Sequence, residues 1–373
     1  MSIPSSSSKL FEPIKVGRLD LQHRVVLAPL TRFKATQPGH VPVPVMKEYY
    51  SQRASAPGTL LITEATFIAP KAGGFKHVPG IWSEEQIAIW KEITDNVHAQ
   101  GSYIYLQLWA IGRAAEPDVL ASEDPSLPFV SASSIPLAGT TIAPRPLTIP
   151  EIQEYVQLYA TAAENAVHKA GFDGVEIHGA NGYLIDQFFQ DVSNVRTDAY
   201  GGSIENRARF GLEVVDAVAK AVGADRVALR LSPWSPFQDM KMADPKPTFA
   251  YITKQLKEHH PDLAYLHVVE PRISGIVDSD GTDEESNDFL REIWAPKPFI
   301  AAGGYNRQTA LAAMERAQHT GELLAFGRYF ISNPDLVRKL KENLPLTKYD
   351  RAMFYIPGDW TGLGYTDYPF APA

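Results

Sequence analysis

The sequence predicts an α/β fold, a single (β/α)8 barrel, because short apolar runs alternate along the chain with longer helical patterns. Eight such runs are present, and each is almost continuously apolar, which is typical of parallel strands covered on both faces. A doubly wound sheet usually has fewer strands and a glycine-rich turn after the first, which is missing here. The predicted strands are Val25–Pro29, Thr59–Thr63, Tyr103–Trp109, Gly174–His178, Val227–Leu231, Tyr265–Val269, Pro298–Ala302 and Leu323–Phe326.

Helical periodicity fills most of the gaps between these strands. The clearest start is Thr148-Ile-Pro-Glu151, a capping-box pattern with proline in the first turn, and Gly171 provides the matching stop. The predicted helices are Glu84–Ala99, Pro150–Ala170, Ile204–Val222, Thr248–Glu258, Arg307–Gln318 and Asn333–Glu342.

We expect the chain to form one domain over residues 1–373. Four of its segments lie outside the regular alternation of strands and helices. Residues 1–9 are expected to be flexible, and residues 115–150, which contain seven prolines, to form a long ordered excursion. Residues 270–288 are polar and include Asp278, Asp280 and Asp283, which predicts a mobile loop over the barrel mouth. The aromatic-rich tail, 349–370, is expected to lie over the barrel as ordinary packing.

Composition excludes several classes of function. The chain has 373 residues and a net charge of −8, so a broad basic surface for nucleic acid is not expected. The absence of cysteine rules out disulfides, thiolate nucleophiles and iron–sulfur clusters. There is no apolar run long enough to span a membrane and no signal-peptide pattern, which predicts a cytoplasmic protein. The sequence does not decide between a monomer and a homodimer.

The last two strands are followed by a pattern that favours phosphate binding. Gly303 and Gly304 follow strand seven, and Gly327 and Arg328 follow strand eight. In barrels of this type, glycine amides at these positions approach phosphate oxygens closely, and an arginine adds charge-assisted hydrogen bonds. The simpler interpretation is that the paired glycines only turn the chain.

Strand four is followed by His178, Asn181 and Tyr183. The spacing of three places His178 and Asn181 on one side of a turn, where both can donate hydrogen bonds to one carbonyl oxygen. The Tyr183 phenol can supply a proton. A lone histidine is more often structural, but the group of three at a strand end favours a site. No second histidine or carboxylate has metal-ligand spacing, so no metal site is predicted.

Gln107 and Arg230 interrupt two strands that are otherwise apolar. Burying an arginine is costly unless it is paired, so each polar residue needs a partner or a ligand. Gln107 offers a donor and an acceptor, which suits the edge of a pyrimidine-like ring, and Arg230 suits an anion. The alternative for Arg230 is an internal ion pair with Glu64 or Glu176.

Five segments of the sequence resemble the old yellow enzyme family of flavin-dependent ene-reductases, most closely its fungal and yeast branch. They are Ala28–Arg32, Gln107–Trp109, Gly174–Leu184, Tyr200–Phe210 and Phe326–Pro334. The resemblance runs from about residue 9 to residue 370. It implies non-covalent FMN, NADPH as hydride donor and a small α,β-unsaturated aldehyde or ketone as substrate. Some fungal members act in secondary metabolism, and the resemblance extends that role to this chain as an expectation.

The resemblance also implies a role for each matching residue. His178 and Asn181 would hold the substrate carbonyl oxygen, Tyr183 would donate the proton, and Trp109 and Tyr355 would shape the substrate pocket. Ala65 and Gly304 depart from common family residues, Gly and Asn respectively, but neither change removes a catalytic group. The residues expected to bind FMN are Pro29, Leu30, Thr31, Ala65, Gln107, Arg230, Gly303, Gly304, Gly327 and Arg328.

Two other functions stay open from the sequence. One is a barrel lyase or isomerase that binds a sugar phosphate at Gly303 and Gly304, which would need a lysine or carboxylate base at a strand end. Strand six offers only Glu270. The other is a protein that binds flavin without physiological turnover.

Overall fold

Eight parallel strands close into a barrel in the computed structural model, which describes residues 8–275, 277–278, 284–317 and 321–372. The strands pair in chain order and the last pairs with the first, which confirms the predicted (β/α)8 architecture. They are β1 (Val25–Leu27), β2 (Leu60–Phe67), β3 (Tyr103–Trp109), β4 (Gly174–His178), β5 (Val227–Leu231), β6 (Tyr265–Val269), β7 (Phe299–Ala302) and β8 (Glu322–Phe326).

Strand β2 runs well beyond its predicted end at Thr63. Glu64 is buried within the strand, although a carboxylate after an apolar run usually signals that a strand has ended. The pairing with β3 shifts register between Ile62 and Ala65, which is the mark of a bulge. Ala65 therefore lies inside the strand rather than after it.

Helices cover the outside of the barrel, and the sequence pattern misses two of them, α1 and α6. Helix α1 buries Met46, two tyrosines and Arg53, so its inner face does not read as apolar. Helix α6 has only seven residues, too few to show a period. Gln318, the last residue of the predicted helix Arg307–Gln318, lies outside the described residues. The helices that cover the barrel are α1 (Pro44–Arg53), α2 (Glu84–His98), α3 (Ile149–Glu164), α4 (Ile204–Val222), α5 (Lys246–His259), α6 (Asp288–Trp294), α7 (Arg307–Arg316) and α8 (Leu336–Glu342). Shorter helices follow β4 and β8, at Leu184–Phe189 and Arg328–Ser332.

The amino-terminal end of the barrel is closed by a small hairpin. Its antiparallel strands, Ile14–Val16 and Leu19–Leu21, bury their apolar side chains against the barrel interior, where Tyr105 and Tyr265 lie. Because this end is filled by side chains, a ligand has access only from the carboxyl ends of the strands.

The aromatic tail is attached at that open end by buried arginines. Arg32 donates to the carbonyl oxygens of Phe354 and Gly364 at 3.0 and 2.8 Å. Tyr365 is fully buried and stacks on Tyr49 at 4.2 Å between ring centroids. Phe354 also borders the cavity described below, so the tail contributes to that cavity as well as to packing.

The other irregular segments are described in part. Residues 115–150 contain a short helix, Pro117–Glu123, and two paired strands, Val130–Ser131 and Arg145–Pro146. The acidic loop contains a small hairpin of Ile273–Ser274 and Val277–Asp278. Asp280, Asp283 and residues 1–7 of the predicted flexible terminus lie outside the described residues. Within the described ranges, no helix combines the length and the apolar character that crossing a membrane requires.

Candidate active site

A cavity of about 540 Å³ lies at the carboxyl ends of the strands, and every site residue predicted from the sequence lines it. The barrel geometry explains this convergence, because parallel strands that end at one rim bring distant segments of the chain together. The predicted residues on its wall are Pro29, Leu30, Thr31, Ala65, Gln107, Trp109, His178, Asn181, Tyr183, Arg230, Gly303, Gly304, Gly327, Arg328 and Tyr355.

One end of the cavity combines glycines with a paired arginine. Gly304 has φ +62, and a Cβ atom there would lie 2.7 Å from Arg328 Nη2, so a side chain at this position would meet the guanidinium. Asp278 accepts two hydrogen bonds from Arg328, at 2.9 and 2.5 Å, and one from Arg351 at 3.1 Å. A carboxylate thus contacts the guanidinium that the sequence assigns to phosphate, which shows that the position suits an anion.

The floor of the cavity carries a buried polar chain. Gln107 Nε2 donates to Glu176 Oε1 at 2.7 Å, and Glu176 Oε2 accepts from His267 Nδ1 at 2.8 Å. Glu176 thus bonds to Gln107 and His267, and the internal ion pair that was the alternative for Arg230 is not formed as a direct contact within the described residues. Arg230 also borders the cavity, and its Nε atom is buried without a hydrogen-bond partner within the described residues.

His178 is a neutral hydrogen-bond donor facing the cavity. Burial, with the charge of Arg230 adding to it, lowers the pKa of the imidazole well below its ordinary value. The backbone N–H of Ala180 donates to His178 Nδ1 at 3.3 Å, so the proton of the neutral ring resides on Nε2. His178 therefore keeps one N–H for a ligand at every working pH.

The turn after β4 is held by hydrogen bonds on both sides. Asn181 has φ 55 and donates its backbone N–H to Ser232 Oγ at 2.7 Å. Asp186 accepts from Gly182 N at 2.9 Å, and Gln187 donates to Gly182 O at 2.7 Å. Burial raises the pKa of Asp186 to about 7. These bonds fix the backbone that carries the Asn181 and Tyr183 side chains.

Tyr183 stands edge-on to two rings. Its ring centroid lies 4.7 Å from Trp109 and 5.0 Å from His178, with interplanar angles of 89° and 81°. Burial raises the pKa of the phenol above its ordinary value, and a hydrogen bond with the Gln238 side chain opposes that rise. The phenol therefore keeps its proton at neutral and mildly alkaline pH, as a proton donor must.

Several further wall residues were not predicted from the sequence, among them Phe33, Phe75, Phe237 and Gln238. Phe33 follows the first strand closely, so reading two residues further past Thr31 would have found it. The other three lie in loops far beyond the strand ends, where the sequence carries no signal for direction. The candidate base Glu270 is bonded to Arg291 and Asn287 and is not among the residues that line the cavity.

These features suit a ligand that has a phosphate and a planar polar ring, with a separate carbonyl compound bound beside it. The sequence matches a family model described as NADH:flavin oxidoreductase / NADH oxidase over residues 9–347. A chanoclavine-I aldehyde reductase of Penicillium roqueforti (strain FM164) is 53% identical over 366 residues, covering 98% of this chain and 97% of that protein.

Two further comparisons bear on fold and activity. A protein of Epichloe festucae var. lolii named as a probable inactive reductase is 50% identical over 374 residues, covering 98% of this chain and 96% of that one. The crystal structure of Old Yellow Enzyme from Pichia sp. AKU4542 superposes with a TM-score of 0.89 at 40% identity, covering 98% of this chain and 95% of that one. The chain belongs to the old yellow enzyme family of flavin oxidoreductases.

Family membership defines the cofactor as non-covalent FMN and the hydride donor as NAD(P)H. The cavity fits this cofactor on its own chemistry. The unpartnered Arg230 Nε is a buried donor in need of a ligand, and a Cβ atom on Gly327 would approach Leu30 Cδ2 to 3.0 Å, so glycine keeps the space there open. Membership also removes the sugar-phosphate lyase or isomerase as an interpretation.

Proposed function

We propose that this chain is an ene-reductase that uses NADPH to reduce the C=C bond of an α,β-unsaturated aldehyde or ketone. The observation that carries the proposal is the grouping of His178, Asn181 and Tyr183 on one wall of the cavity that Gln107 and Arg230 also line. An aldehyde is the carbonyl class we favour, because the similar Penicillium roqueforti protein is named as an aldehyde reductase.

Bound FMN supplies hydride transfer, from NADPH and then to the β-carbon of the substrate. Pro29, Leu30, Thr31 and Ala65 would contact the ring, with Gln107 and Arg230 at its polar edge. We assign the phosphate to Arg328 and to the backbone at three glycines, Gly303, Gly304 and Gly327. Binding there requires Asp278 to move away from Arg328, since two anions would otherwise share one guanidinium.

The protein's own residues polarise the carbonyl and supply the proton. His178 Nε2–H and the Asn181 amide donate to the carbonyl oxygen, where negative charge grows as hydride reaches the β-carbon. Fixed donors of this kind stabilise such charge by about 3 kcal/mol each. Tyr183 then gives its proton to the α-carbon, which completes the saturated product. Trp109 and Tyr355 would confine the substrate.

The alternative is a protein that binds FMN without turnover. One observation favours it, namely that a relative of 50% identity is named as a probable inactive reductase. The presence of Tyr183, with its phenol protonated, favours turnover in this chain.

The visible spectrum of the purified protein distinguishes the two. We expect a flavin band that bleaches with NADPH under anaerobic conditions and returns when cyclohexenone is added. A band that bleaches and does not return with cyclohexenone or an enal would contradict the ene-reductase and favour the alternative. Absence of flavin, even after incubation with FMN, would refute the proposed site.

A further inference from the structure

Glu176 and His267, in the buried polar chain beneath the cavity, have no role in the steps above, yet the Glu176 carboxylate lies at a costly position. Glu176 and His267 are fully buried inside the barrel, and Gln107 is almost so. Each oxygen of the Glu176 carboxylate accepts one hydrogen bond, from Gln107 at 2.7 Å and from His267 at 2.8 Å. A buried charge persists only when its neighbours compensate for lost hydration.

Those neighbours keep Glu176 ionised. Burial alone would raise its pKa, but His267, Arg230 and Gln107 together outweigh burial and hold the pKa below its usual range. Burial lowers the pKa of His267, so the ring is neutral and its Nδ1–H is the donor. Glu176, an anion beneath the cavity, therefore interacts electrostatically with the cation Arg230, which lines the cavity.

The charge on Glu176 decides which way the Gln107 amide points. An ionised carboxylate can only accept hydrogen bonds, so the group that faces it must be the NH2 of the amide. The amide oxygen of Gln107 and the second N–H of its NH2 group are then left for the cavity. A neutral side chain at position 176 would accept either orientation of the amide.

We propose that Glu176 is a positioning residue for FMN, which presents the Gln107 oxygen to the ring edge and partly offsets the charge of Arg230. This inference rests on the proposed placement of Gln107 and Arg230 at the flavin. Because reduced FMN carries more negative charge than oxidised FMN, an anion nearby disfavours reduction. Glu176 therefore holds the reduction potential of the bound flavin below the value that Arg230 alone would give.

The test is the reduction potential of bound FMN in Glu176→Gln, measured by anaerobic titration against a reference dye. We expect reduced FMN to gain about tenfold in affinity relative to oxidised FMN, a rise of about 30 mV for a two-electron couple. Glu176→Asp keeps the charge, so its potential should stay near that of the wild type. Its shorter side chain cannot reach both partners, so FMN should dissociate more readily.

Glu322→Gln is the matched control, because Glu322 is also a buried carboxylate but bonds to Arg291 on α6 outside the barrel. Its potential should not change, even if the protein is less stable. Should Glu176→Gln not fold, His267→Phe removes one donor, favours protonation of Glu176 and should shift the potential in the same direction.

An unchanged potential in folded, FMN-loaded Glu176→Gln overturns the inference, as does an equal shift in Glu322→Gln. Neither result touches the proposed reaction, which depends on enone turnover by the wild type. A wild-type protein that binds no FMN would instead refute the site and this inference together.

Discussion

Replacing Tyr183 by phenylalanine removes one hydroxyl and leaves the ring in place. The edge-on contacts with Trp109 and His178, at 4.7 and 5.0 Å, are made by the ring, so the cavity wall should keep its shape. His178, which contacts the Tyr183 ring, is held neutral and so does not replace the phenol as an acid. A positioned general acid contributes about 10²- to 10⁴-fold to a rate, and we expect enone reduction to slow by that amount.

Stopped-flow absorbance separates the two half-reactions. The bleaching of the flavin by NADPH should be unchanged in Tyr183→Phe, whereas its return with cyclohexenone should be slow. Tyr105→Phe is the matched control, since Tyr105 is a buried phenol packed at the closed end of the barrel. If enone reduction by Tyr183→Phe ran at the wild-type rate with full flavin content, Tyr183 would not be the proton donor.

Three further outcomes are expected. Replacing His178 and Asn181 together by alanine should weaken phenol binding, seen by flavin absorbance, by about tenfold to a hundredfold, because each donor contributes about 1 kcal/mol; unchanged binding would contradict the donor pair. Asp278→Asn should tighten FMN binding about two- to fivefold in a fluorescence titration, since it frees Arg328 from an exposed carboxylate; weaker binding would show that Asp278 supports the site. Burial raises the pKa of Glu64 to about 8. The protonated Glu64 side chain therefore makes its full contribution to the free energy of unfolding below about pH 4.5. That contribution falls by about 1.4 kcal/mol per pH unit and is lost as pH rises through 8. Urea unfolding should therefore show Glu64→Gln gaining stability relative to the wild type between pH 5 and 8, and a constant difference would refute the buried acid.

The sequence alone determined the barrel and many of the residues that line the cavity. Strands covered on both faces must be apolar almost throughout, so their positions are visible as continuous runs, as with Val227–Leu231, found unchanged in the structure. Once strands are placed, the residue after each one must lie at the common rim. His178, Arg328 and Gly303 were found in this way, and all three line the cavity.

Tertiary structure alone decided which partner each of these residues has. Asp278 meets Arg328 across 50 positions, and His267 meets Glu176 across 91, so each contact depends on strand order and barrel closure rather than on local pattern. The sequence pattern did not predict helix α1, because Arg53 is buried by donating hydrogen bonds to backbone carbonyls. A hydropathy period does not record burial of that kind. The pattern of apolar residues along a chain indicates where its strands and helices lie. The protonation of His178 and the orientation of the Gln107 amide follow from polar contacts that exist only after folding.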